Sequence, residues 1–249
     1  KCFSVNHSLK LQLDDSTVHI WRVFLPELLV YKKELEKLLS DEEKKSAQEF
    51  KSNDNRSLFI IRRGVLRSLI QDYTGIQADT VEFSLSTWGK PEIVQKRELE
   101  SLEFNATHSR NMMLVAFGRN FRLGVDLEYV DQDYPVKKVA TRFFTSEESS
   151  ILRELAPDEI VERFFEIWVR KEAFLKALGL GLSLPLNSFQ VPMNLVDAFL
   201  DDLPLRSSII EKDGALWSFS EITFNVSYKA CLVTSPPPSA IRIFSCLPT

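Results

Sequence analysis

The sequence predicts an α+β fold, and three observations lead there. Strand-like and helix-like stretches fall into two comparable groups that part near Asn120. Two long stretches, 56–73 and 158–178, carry apolar residues at helical spacing, and the final third alternates as antiparallel strands do. The chain has 249 residues, 44% of them apolar, which suffices for one large core or two smaller ones.

The first strand is predicted over 18–25, where His19 and Trp21 stand against Val18, Ile20 and Val23. A helix follows over 26–39. A second, over 41–50, has Ser40 as N-cap and Glu43 three residues on, the pairing of a capping box. Over 56–73, Phe59, Ile60, Leu66, Leu69 and Ile70 form a helical stripe that Gly75 ends. Residues 80–85, 91–94 and 112–117 read as strands, and 122–128 opens the second group. Helices are predicted near 136–143 and over 146–155. A long one over 158–178 starts at Pro157-Asp158, with Gly179 where a C-terminal glycine cap sits. Strands over 217–222 and 223–234 come next. Pro236-Pro237-Pro238 breaks the pattern, so the tail is expected to be an appendage.

A net charge of −4 argues against a nucleic-acid binder, which normally shows a basic balance or patch. Basic residues do cluster locally. Arg56, Arg62, Arg63 and Arg67 lie in one predicted helix, and Arg56, Arg63 and Arg67 share a side suited to a polyanion or to solvent. No stretch approaches the length of a membrane helix, and no cleavable signal pattern follows Lys1, so no membrane partner is expected. Cys2, Cys231 and Cys246 have no metal-like spacing and form no complete disulfide set, which fits a reducing cytoplasm. With only His7, His19 and His108, the chain is poorly equipped for a zinc site.

The most informative segments are Gly124-Val125-Asp126-Leu127-Glu128 and the run from Trp168 to Lys176. In a strand, Asp126 and Glu128 leave one face while Val125 and Leu127 leave the other. Like charges so close repel unless a cation or proton lies between them. Glu172 and Lys176, four apart, share a helix face. Three carboxylates and a lysine suit a hard divalent ion and a phosphate. Each pair has a plainer reading, as a solvated strand face and as an ordinary helical ion pair.

The wider pattern resembles the Sfp-type 4′-phosphopantetheinyl transferases. The resemblance rests on five pieces in the family's order: Trp88-Gly89-Lys90-Pro91; Phe104-Asn105-Ala106-Thr107-His108-Ser109; the Gly124–Glu128 segment; Arg142-Phe143-Phe144 with Glu147-Glu148; and Trp168 through Leu182. They cover most of residues 40–190. The resemblance implies two similar α/β subdomains, 1–120 and 121–249, related by a pseudo-twofold, with coenzyme A in the cleft between them and the metal site in the second. It implies transfer of the phosphopantetheine arm of coenzyme A to a serine of an acyl or peptidyl carrier protein, releasing 3′,5′-ADP. Asp126, Glu128 and Glu172 match the family's Mg²⁺ ligands, with Mn²⁺ able to substitute. Lys176 matches a lysine beside the phosphate under attack. Thr107, His108 and Lys90 would meet coenzyme A phosphates, together with Asp126 and Arg56. The general base is Glu148 or Glu172; Glu148 also reads as a first-turn acid of a capped helix, Thr145-Ser146-Glu147-Glu148. Trp88 stacks on ligand or simply packs.

The chain departs from the family where basic residues are common, carrying Ser46, Glu49 and Leu58 instead. How the 3′-phosphate is held is therefore open, with Arg56, Lys44 and Lys45 as substitutes. Two other readings are a non-catalytic carrier-protein binder and an unrelated Mg²⁺-dependent phosphoryl-transfer enzyme. Retention of all three carboxylates and Lys176 speaks against the first. The lack of a P-loop or kinase signature speaks against the second. Leu178, Leu180, Leu182, Leu184 and Leu186, around Gly179 and Gly181, are expected either to dock the carrier or to close a core. Arg170, Lys171 and Arg206 would supply rim charge for the carrier. A cytoplasmic monomer is expected.

Overall fold

The computed structural model describes residues 11–94, 102–200, 203–223 and 225–246, and all of their side chains but that of Leu182. Cys2 and His7 lie outside the described residues. The first half runs β1 (Thr17–Phe24), α1 (Lys32–Lys37), α2 (Asp41–Glu49), α3 (Asn53–Thr74), β2 (Phe83–Leu85), β3 (Pro91–Ile93), β4 (Leu102–Ser109) and β5 (Met112–Arg119). The second runs β6 (Arg122–Tyr129), α4 (Val136–Phe143), α5 (Ser146–Glu154), α6 (Pro157–Leu178), β7 (Val196–Leu200), β8 (Leu203–Lys212), β9 (Ala215–Glu221), β10 (Tyr228–Ser235) and β11 (Ala240–Cys246).

Local signals set several boundaries. The Ser40–Glu43 capping box forms, each side chain bonding the other residue's amide. Gly75 and Gly179 end α3 and α6 at φ of 74° and 70°, a left-handed conformation that side chains disfavour. The helix predicted over 26–39 is instead a 3-10 segment, Leu25–Tyr31, followed by the short α1, with Pro26 in its first turn. The helix α3 starts before its apolar stripe, at a Ser52 cap that accepts from the Asn55 amide.

Five strands stand in the order β6-β10-β9-β8-β7 and four in the order β11-β1-β5-β4. The tail is not an appendage. As β11 it pairs in parallel with β1, from Thr17 opposite Ala240 to Val23 opposite Cys246, and so joins the sheet built by residues 17–119. The triple proline only separates β11 from β10; beyond it Ala240, Ile241 and Cys246 are apolar enough to be buried.

The two sheets pack face to face. Val18, Ile20, Leu114 and Ala116 of one meet Leu123, Val125, Leu127 and Leu232 of the other. On the outer face of the first sheet, Trp21, Val115 and Phe117 pack with Ile61, Val65 and Leu69 of α3. On the outer face of the second, Trp217, Phe219 and Val233 pack with Ile167, Phe174 and other α6 residues. Each large apolar side chain so enclosed stabilises the fold by about 1.5–3 kcal/mol before entropy is counted. Among the described residues, no helix is long and apolar enough to cross a membrane.

Candidate functional site

Strand β6 turns two faces to two neighbours. Val125 and Leu127 are fully buried between the sheets, so the alternation sends Asp126 and Glu128 toward α6. Gly124 shares that second face. A Cβ there would collide with the Ala173 carbonyl and the Ala177 amide, so only glycine lets α6 lie this close. The approach carries Glu172 and Lys176 over the acidic end of β6.

Lys176 Nζ lies 2.5 Å from Asp126 Oδ1, 3.2 Å from Thr107 Oγ1 and 3.3 Å from the Val125 carbonyl. Thr107 Oγ1 in turn donates to Asp126 Oδ1 at 3.1 Å. Lysine, threonine and aspartate thus meet at one point, from α6, β4 and β6.

Asp126 is 4% exposed, and its other oxygen, Oδ2, is buried without a hydrogen-bond partner. Burial pushes the Glu128 carboxyl up, and the charge of Asp126 adds to it. Burial, then Asp126, does the same to Glu172. Among the described residues, no three acidic, histidine or cysteine side chains are drawn together as a ready-made metal cage. The chemistry of the set still fits a hard divalent cation, because every donor is oxygen and one buried carboxylate oxygen lacks a partner.

Beside this point lies a cleft of about 220 Å³ lined by Phe59, Arg62, Arg63, Leu66, Thr107 and His108, among others. The His108 ring is pushed down to about 4, first by lost hydration and then by Arg62 and Lys176, so it is neutral at pH 7. Burial and the neighbouring Arg63 also lower Arg62. Cations held this close together are relieved by an anion, which suits the cleft to phosphate. Sequence reasoning set Arg62 apart from the anion-facing side. Its signal was present, since Phe59, Arg62, Arg63 and Leu66 stand at the three- and four-residue spacings of one helix face.

Three residues expected at the site are placed elsewhere. Arg56 donates to the carbonyls of Ala47 (3.1 Å) and Phe50 (3.0 Å), closing the C-terminal end of α2. Lys90 lines a separate depression with Glu103, Arg122 and Gly179, and donates to the Leu123 carbonyl at 3.2 Å. Glu148 is fully enclosed. Its Oε2 accepts from the Thr145 amide (3.0 Å) and pairs with Lys171 (2.8 Å), while its Oε1 accepts from the Val191 amide (3.1 Å). With both oxygens engaged and no exposed surface, it serves the capped start of α5. Of the leucines considered for docking, Leu186 is buried, and Leu178 and Leu184 pack on the second core. Leu180 lines the Lys90 depression, and the Leu182 side chain lies outside the described residues.

A family model described as the 4′-phosphopantetheinyl transferase superfamily matches residues 122–223, and one described as 4′-phosphopantetheinyl transferase, N-terminal, matches residues 28–119. The chain is similar to the 4′-phosphopantetheinyl transferase HetI of Nostoc sp., at 34% identity over 70% of this chain and 73% of that one. It is similar to the 4′-phosphopantetheinyl transferase Sfp of Bacillus subtilis, at 31% identity over 63% of this chain and 67% of that one. Among solved structures it is similar to holo-[acyl-carrier-protein] synthase (AcpS) of Thermotoga maritima, with 22% identity and a TM-score of 0.29 over 45% of this chain and 61% of that chain.

Proposed function

This chain belongs to the 4′-phosphopantetheinyl transferase superfamily, and from that premise we propose that it transfers the phosphopantetheine arm of coenzyme A to a serine of an acyl or peptidyl carrier protein, releasing 3′,5′-ADP. The observation that supports this reading most is the meeting of Lys176, Thr107 and Asp126, with Asp126 Oδ2 buried and unpartnered beside them. That point needs both a cation and an anion, and a metal-bound pyrophosphate is both.

In this reading coenzyme A lies between two halves related by a pseudo-twofold, 1–120 and 121–249, except that β11 of the second belongs to the sheet of the first. Arg62, Arg63, Thr107 and His108 hold its phosphates from the cleft beside β4, and Arg62 takes over from the basic residues absent at Ser46, Glu49 and Leu58. Lys90 meets the nucleotide from its own depression. Asp126, Glu128 and Glu172 would hold Mg²⁺, or Mn²⁺ in its place. When bound, the ion offsets the charge of the pyrophosphate and of the leaving oxygen.

Glu172 is the base. With Glu148 fully enclosed, Glu172 is the carboxylate of the two candidates left to take the proton from the serine Oγ. The Oγ–phosphorus bond forms as the bond from phosphorus to the departing 3′,5′-ADP breaks. The Lys176 ammonium donates to the phosphate oxygens as negative charge gathers on them. The proposal includes a cytoplasmic monomer.

Mass spectrometry of a purified carrier protein incubated with coenzyme A and Mg²⁺ tests the reading. A gain equal to the phosphopantetheine arm supports it. An unmodified serine across fatty-acid, polyketide and peptide carriers overturns it.

A further inference from the structure

We propose that Ser109 is a positioning residue that fixes the Glu128 carboxylate for the metal centre. The inference rests on the metal-binding part of the proposed function. Strands β4 and β6 are the facing edges of the two sheets, yet they share no backbone ladder. Side chains bridge them instead. On β4, Asn105, Thr107 and Ser109 lie two apart and so leave one face. Asn105 Oδ1 accepts from the Val125 amide at 2.9 Å, which sets the register of β6 against β4. Thr107 reaches Asp126. Ser109 Oγ accepts from the Tyr129 amide at 3.0 Å and donates to Glu128 Oε2 at 2.9 Å.

Ser109 Oγ is thereby held from one side by the backbone of β6, and its single proton is directed at the carboxylate. Among the described residues it is the one hydrogen-bond donor that reaches Glu128. A flexible glutamate half-open to solvent samples several rotamers. One bonded through Oε2 keeps Oε1 aimed in a fixed direction. Outer partners of this kind typically alter metal affinity by about 10–100-fold when removed.

Titration of Mn²⁺ into the protein in the presence of saturating coenzyme A, without carrier, reads this directly by calorimetry. We expect Ser109→Ala to weaken Mn²⁺ binding by about 10–100-fold, Ser109→Thr to restore most of it, and coenzyme A affinity to stay within about twofold. Ser109→Cys keeps the shape and loses the strong donor, so it decides the matter if Ser109→Ala does not fold. A folded variant lacking the hydroxyl that binds Mn²⁺ as wild type does, even with a lower melting temperature, overturns the proposal and leaves the metal centre standing. Wild-type protein that takes up no Mn²⁺ overturns the metal centre and the role of Ser109 with it.

Discussion

The Ala173 carbonyl oxygen of α6 occupies the space that a side chain on Gly124 of β6 would need. This one close approach decides where Glu172 and Lys176 stand, because both are carried by the same stretch of helix.

Gly124→Ala is therefore expected to push α6 off β6. Overpacking of this kind costs about 1–3 kcal/mol. The loss of transfer activity should be larger than the loss of stability, since Lys176 would be drawn away from Asp126. Denaturant melts and the carrier-modification assay, run together, check this; an unchanged variant in both would show that the helix has room to move.

Asp126→Ala and Glu172→Ala should each nearly abolish turnover while the fold survives. Each removes an oxygen donor from a set that fits a divalent cation, and the charge it balances is then misplaced. Full activity of the wild type in excess chelator would contradict this.

Arg62→Ala should raise the KM for coenzyme A and leave kcat nearly intact, because phosphate contacts away from the reacting atoms stabilise ground and transition states alike. A charge-assisted contact contributes about 1.5–3 kcal/mol, or roughly 10–150-fold in affinity. Arg56→Ala should leave KM unchanged and lower stability instead, as its guanidinium closes α2. A reversed pattern would return Arg56 to the phosphate.

Removal of one partner of the fully buried Glu148–Lys171 pair should be severe. Glu148→Gln leaves an uncompensated ammonium, at a cost of about 3–5 kcal/mol. Glu148→Gln combined with Lys171→Met removes both charges, keeps a carbonyl acceptor for the amides at that position, and should recover part of the stability and activity. A general base cannot be rescued by a second substitution, so an inactive but stable double variant would restore Glu148 to the chemistry.

The pH dependence has a definite sign at His19. Burial, and next Arg242, push its ring down to about 4, while Asp14 opposes them weakly and Tyr73 shares a hydrogen bond at 2.8 Å. The unfolded chain binds a proton near pH 6.5 that the native state refuses, so stability is full above 6.5 and falls as the pH drops toward 4. Burial holds Asp72 up at about 6, which opposes that fall. The difference between wild type and His19→Gln isolates the histidine, and it should shrink by about 1–3 kcal/mol over this window. A difference that does not vary with pH would show that the ring is charged in the native state.

Much of this was legible in the sequence, and the gaps have physical causes. The alternation in 122–128 and the helical run to Lys176 predicted a shared acidic face and its lysine, because strand and helix periods fix direction. Strand β4 was missed since Asn105, Thr107 and Ser109 are polar as if facing water, whereas they face β6; Asn105 and Thr107 are buried. Strands β7 and β8 carry charged and apolar residues on mixed faces and gave no clean period. Glu148 was ambiguous because a capping acid and a catalytic acid look alike until the partners of both oxygens are seen. Arg56 and Arg62 sit in the same basic helix, and only the packing of α3 on the first sheet decides which of them meets His108.

The pairing of β11 with β1 also orders events during synthesis. The ribosome delivers β1, β5 and β4 early, yet the strand that covers the outer edge of β1 is made after every other described strand. Until then the nascent chain carries an unsealed strand edge, the kind of surface that recruits chaperones or other chains. The first sheet is thus sealed by β11 only after the residues of β6 and α6, which carry Asp126, Glu128, Glu172 and Lys176, have already been made.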